Sequence, residues 1–165
     1  MLQGKLFVNI KTNSVVIKFY DYSNNSYRKM MKSHDFYKSR QTIITTDLIK
    51  LILSKVSFDN NYYIGGINFL ECIEPDEHHK QIISELNKSN SEDKKILIQQ
   101  LNQEITELSG EKGNDIKSIE VIYNTQPRIR LTLYSNGVIA ADTKDDGIVS
   151  NFISDILDGV INEEN

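Results

Sequence analysis

The chain has 165 residues, a formal net charge of −4 and 39% apolar residues. Those values allow a real core in one domain or in two fused half-size repeats, and the acidic balance disfavours wrapping nucleic acid. Cys72 is the single cysteine, which excludes an internal disulfide and points to a reducing, intracellular compartment, cytoplasm or nucleus. No run is long enough to span a bilayer and no signal peptide is expected ahead of the first strand, so a membrane is not among the expected partners.

In chain order, Leu6–Lys11 and Val15–Tyr20 read as a hairpin around Thr12-Asn13-Ser14. Residues 21–40 are polar and read as a long loop with a helical turn near Tyr27–Lys32. Gln41–Thr45 is a short strand. Thr46 is expected to cap a helix carrying Leu48, Ile49, Ile52, Leu53 and Val56, the spacing of one helical face. After a linker at Phe58–Asn61, Tyr62–Ile73 reads as a strand bent at Gly65-Gly66. Pro75 suits the first turn of a helix to about Lys88, and Ser91 with Glu92 and Asp93 starts another over Glu92–Leu108. The second helix has the stripe Leu97, Leu101, Ile105 and Leu108.

The clearest pattern runs from Ile119 to Leu157. Ile119–Tyr123 is a strand, and Asn124-Thr125-Gln126-Pro127 turns the chain. Over Arg128–Tyr134, Ile129, Leu131 and Leu133 alternate with Arg128, Arg130, Thr132 and Tyr134, the period of a strand with one buried face. Ser135-Asn136-Gly137 is a hairpin turn and Val138–Asp142 the third strand. The helix that follows buries Val149, Phe152, Ile153, Ile156, Leu157 and Val160. Val15–Tyr20 matches Ile129–Tyr134 in order and chemistry, and Thr46–Val56 matches Gly147–Val160. We therefore read an α+β fold: a curved, saddle-like antiparallel sheet of two degenerate repeats with helices on one face. Residues 1–58 form the first repeat; residues 62–165 form the second, with extra helices over 76–108.

Tyr123, Pro127-Arg128-Ile129, Tyr134, Asn136-Gly137 and the helix from Ile148 together resemble the half-repeat of the TATA-box-binding protein family. The Asn-Gly form is similar to divergent versions in large DNA viruses, and the preference for Ile, Lys and Asn fits an AT-rich genome. The resemblance covers about the last 45 residues well and reaches residues 5–56 only through the internal repeat. It implies a DNA-binding, transcription-initiation role with double-stranded DNA as partner. Three positions depart from the family: Asp142 stands where it has Thr, Ser118 where it has a wedging Phe, and Asn124 where it has a basic residue.

By parity the face away from the helices carries Lys5, Phe7, Asn9, Lys11, Lys18 and Tyr20, then Glu120, Ile122, Asn124, Arg128, Arg130, Thr132 and Tyr134. On the DNA reading Phe7, Tyr20 and Tyr134 wedge base steps, and Lys18, Arg128 and Arg130 meet phosphates, with Thr132 among them. Glu120 and Asp142 oppose it, because unpaired carboxylates facing phosphates cost affinity. The alternative is a non-catalytic protein-interaction module or inhibitor that keeps the fold without DNA. The acidic helices 76–108 offer a further surface, for a basic partner protein. Cys72, Glu74, Asp76, Glu77, His78 and His79 lack metal-site spacing, since adjacent helical histidines diverge by about 100°. No nucleophile constellation appears, so no enzyme, metal or cofactor is expected.

Overall fold

The computed structural model describes residues 1–21, 26–35, 37–70, 77–111 and 115–163. The elements run β1 (Leu2–Asn9), β2 (Val15–Tyr20), α1 (Ser26–Lys32), β3 (Ser39–Gln41), α2 (Thr46–Phe58), β4 (Tyr62–Phe69), α3 (Glu77–Leu86), α4 (Ser91–Glu111), β5 (Ile116–Tyr123), β6 (Ile129–Tyr134) and β7 (Val138–Ala141). A final helix is continuous from α5 (Asp146–Phe152) through a π turn (Ile153–Leu157) into α6 (Asp158–Glu163). The fold is α+β: all seven strands join one curved antiparallel sheet, open at its ends, in the order β2-β1-β7-β6-β5-β4. The seventh, β3, pairs with the end of β1 beyond β7.

Alternation explains which face is buried. The pairs Leu6↔Ile17, Gly4↔Ile139, Leu131↔Ala141 and Val121↔Leu131 put apolar side chains on one face of successive strands. Leu48, Ile49, Ile52, Leu53 and Val56 of α2 and Val149, Phe152, Ile156 and Leu157 of the last helix join them in one core cluster. That is the stripe the sequence predicts for each helix. Ile98, Leu101 and Ile105 of α4 and Ile82, Ile83 and Leu86 of α3 extend the same core. Among the described residues no helix is long and apolar enough to cross a membrane.

Several boundaries shift for local chemical reasons. Thr45, not Thr46, caps α2: its hydroxyl accepts the Leu48 N–H at 3.1 Å. Asn90, not Ser91, caps α4, its Oδ1 accepting from Glu92 and Asp93 N–H. The bend in β4 is a bulge, with a register shift between Ile64 and Gly66. Residues 71–76, including the expected Pro75 helix start and the end of the long strand at Ile73, lie outside the described residues. At the β6–β7 turn Gly137 has φ +77°, where a Cβ would also overlap the Thr42 carbonyl oxygen.

The two terminal strands are treated differently. On β4, Asn87 from the end of α3 accepts the Ile64 N–H at 3.0 Å and donates to the Ile64 carbonyl at 2.8 Å, standing in for a neighbouring strand. On β2, Asp158 Oδ1 accepts the amide of the first residue, Val15, at 2.8 Å. The π turn, closed by the Asp158 N–H on the Ile153 carbonyl, is the widened part of the helix from which Asp158 reaches that strand.

The two stretches matched as repeats lie in one sheet and share one core. Their third strands add differently: β3 pairs with β1, whereas β7 pairs with β6. α1 also departs from the one-sided arrangement of the larger helices. Its Tyr27 meets Tyr20 edge-on, with ring centroids 5.0 Å apart, on the face opposite the core.

Candidate functional site

The pairing register arranges the face away from the core into rows. Tyr63, Ile122, Arg130 and Asp142 form one across β4, β5, β6 and the end of β7. Gly66, Glu120, Thr132, Ala140, Gln3 and Tyr20 form the next, and Asn68, Ser118, Tyr134, Val138, Lys5 and Lys18 the third. The alternation read from the sequence thus places Lys5, Phe7, Lys18, Tyr20, Glu120, Ile122, Arg130, Thr132 and Tyr134 on this face.

Accessibility divides them. Phe7 is fully buried, stacked on His34 at 4.0 Å between ring centroids. It is a packing residue under the segment after α1 rather than an accessible wedge. Tyr20 is half-buried against Tyr27. Lys18 is half-buried, with Nζ 5.8 Å from the Phe7 ring. Thr132 and Tyr134 are half-buried. Arg128 is exposed and stands 5.8 Å from the Tyr63 ring, a cation–π contact that the sequence gives no means of foreseeing. Asn9 is half-buried, and Lys11 and Asn124 sit in turns at the margin.

The charges on this face interleave. Arg130 Nε lies 3.1 Å from Glu120 Oε1, and Asp142 Oδ1 accepts the Arg130 backbone N–H at 2.7 Å. Glu120 folds over the bulge, where a Cβ on Gly65 would strike its carboxylate. Both carboxylates weighed against phosphate contact therefore lie beside Arg130.

Lys5 is the unexpected residue here. It is 4% exposed and its ammonium donates to the Asn136 carbonyl. Across the strands it faces Lys18, so it is buried with a like charge as its neighbour. Burial lowers its pKa from the usual 10.5. The unfolded chain then holds this proton more firmly, so Lys5 costs stability at neutral pH, and the cost fades as pH rises through the lysine range. Lys5→Met is expected to raise the unfolding free energy at neutral pH by about 1 kcal/mol, with a smaller gain above pH ~10. Urea melts at the two pH values check this; a loss at neutral pH would mean that the bond to Asn136 outweighs burial.

The histidine-rich helix start is also resolved in part. Cys72, Glu74 and Asp76 lie outside the described residues. His78 and His79 converge on Glu104 of α4: His78 Nδ1 meets Oε1, and His79 Nδ1 lies 3.6 Å from Oε2. No metal-binding cluster occurs among the described residues. The exposed acids of α3 and α4, Glu85, Glu92, Asp93 and Glu107, remain on the solvent side of those helices. Compared with known proteins, the chain matches no family model, no curated protein and no solved structure.

Proposed function

We propose that the protein is a non-catalytic binding module that docks a partner protein on the open face of its sheet. The observation that carries this reading is the mixture on that face: Arg130 paired with Glu120, Asp142 beside it, and Arg128 over Tyr63, around half-buried Ile122 and Tyr134. Tyrosine, arginine and an aliphatic side chain with satisfied charges are the composition of a protein interface. A DNA platform needs uncompensated cations and accessible wedges, and burial of Phe7 removes one wedge.

A photo-crosslinking residue at position 132 is expected to capture one discrete partner from the source extract. The same residue at position 50, on α2, is expected to capture none. Soluble protein should compete and duplex DNA should not. In parallel, an AT-rich duplex is titrated with the parent, Arg128→Ala and Asp142→Thr, by fluorescence anisotropy across a salt series. No saturable binding at low salt is expected from any of them. Salt-dependent binding whose slope falls by about 1 in Arg128→Ala would restore the DNA reading. If the captured partner is an enzyme that the module silences, the module acts as an inhibitor.

A further inference from the structure

Charge is divided unevenly along the chain. Residues 1–45 hold eight of the 19 Lys and Arg but two of the 23 Asp and Glu, a formal +6, so the rest of the chain carries −10. The fold gathers these residues into one corner, where β1 pairs with both β2 and β3. α1 lies over them. Its Tyr27 meets Tyr20 edge-on; His34, just after the helix, stacks on Phe7 and sets Nε2 3.1 Å from Ser39 Oγ of β3. The Ile10 N–H donates to the Lys38 carbonyl at 2.9 Å, which places the tip of the β1–β2 hairpin beside Tyr37.

Two kinds of side chain project from this corner. Lys11, Arg28, Lys29, Lys32 and Arg40 are exposed, and none of them makes an ion pair among the described residues. Ile10, Val16, Tyr27, Tyr37 and Ile43 are exposed as well, Tyr37 at 95% and Ile43 at 73%. Single exposed apolar residues are ordinary; here five coincide with the excess of positive charge. The nearby carboxylates do not offset it. Asp35 is taken by Lys38 at 3.2 Å, Asp158 accepts the Val15 amide, and Asp21 is the one other acid of the first 45 residues. The acidic α3 packs on β4, at the far end of the strand order from β2.

We propose that this corner seats the protein on an anionic lipid bilayer as a peripheral contact. The cations meet the lipid headgroups, and Ile10, Tyr37 and Ile43 enter the boundary between headgroups and acyl chains. Neither attraction alone anchors a small protein firmly, whereas a basic patch combined with apolar insertion does. The aliphatic side chains decide between a bilayer and a nucleic acid. Phosphate satisfies the cations in either, and tyrosine stacks on bases, but Ile10, Val16 and Ile43 have no ring to stack and gain only by leaving water. The length argument against a membrane concerns crossing it and leaves a surface contact open. The centre of the open face, around Ile122 and Arg130, lies on other strands. The seat therefore goes beyond the docking reading, and its test does not depend on it.

The test is flotation of the whole protein with phosphatidylcholine vesicles, with and without phosphatidylserine, across a salt series. The parent should float with the anionic vesicles alone, and less as salt rises. Arg28→Gln/Lys29→Gln/Lys32→Gln should lower the partition about a hundredfold, at about fivefold per cation. α1 buries no residue, so this variant should melt like the parent. Were it to unfold, Lys11→Gln/Arg40→Gln reads the same dependence, at about 25-fold. Lys88→Gln/Lys95→Gln/Lys144→Gln, the same charge change elsewhere, should float like the parent. Ile10→Ser/Ile43→Ser, at two exposed positions, should lose most of the flotation at unchanged charge. Three results would each overturn the proposal: no flotation with anionic vesicles, equal flotation with both kinds, or undiminished flotation when the corner's cations are removed. Flotation that survives Ile10→Ser/Ile43→Ser would also overturn it, and competition by oligothymidylate would then assign the corner to nucleic-acid phosphate.

Discussion

Phe152→Ala is expected to lower the unfolding free energy by about 3–5 kcal/mol, the range for truncating a buried phenylalanine. The ring is fully buried at the junction between α5 and the π turn. It meets Tyr62 edge-on with centroids 5.6 Å apart, and Tyr62 in turn lies 5.1 Å from Tyr123. Removing the ring therefore opens a void against the far strands of the sheet as well as within the helix. The Tyr62 phenol is pushed well above its usual range, first by burial and then by the Asp155 charge. The chain lacks tryptophan, so the measurement is urea denaturation followed by far-ultraviolet circular dichroism. A loss below about 1 kcal/mol would mean that the helix does not pack on β4 as described.

The second large effect is expected at Leu131. This side chain is 1% exposed and pairs across the strands with Val121 and Ala141. Leu131→Ala should cost about 2–5 kcal/mol. Arg130→Ala, one residue away, should cost no more than about 1 kcal/mol, because the Arg130 side chain is 60% exposed and its partner is a surface carboxylate. The contrast is the informative quantity. A strand slipped by one residue would exchange the two faces and reverse the order of the two losses.

Patterns with a short period were legible before any coordinates. The alternation of Ile129 to Tyr134 and the stripe from Leu48 to Val56 place those residues on the faces they occupy. What could not be read depends on partners far away in the chain. The sequence Leu2-Gln3-Gly4-Lys5 lacks a strand's alternation, because Gly4 makes room for the Ile17 and Phe19 side chains and Lys5 reaches Asn136. Phe7 has the right parity for an open face but is covered by His34, from a stretch whose polarity suggests only a loop. Thr45, Thr46 and Asp47 are all competent caps, so only the bond to Leu48 identifies the one used. His79 and Glu104 come from different helices, and neither carries a local signal of the other.

The unequal ends of the sheet bear on how copies of this protein can aggregate. Edge-to-edge growth into a fibre needs two live edges on every molecule, one to join and one to be joined. Here the β4 end is bulged, and Asn87 occupies both backbone groups of Ile64. At the β2 end Asp158 caps the amide of Val15. Two molecules meeting through β2 would turn their bulged, Asn87-capped ends outward, which disfavours further strand addition. Removing the Asn87 side chain would give each molecule a second live edge, converting a self-terminating contact into one that can propagate.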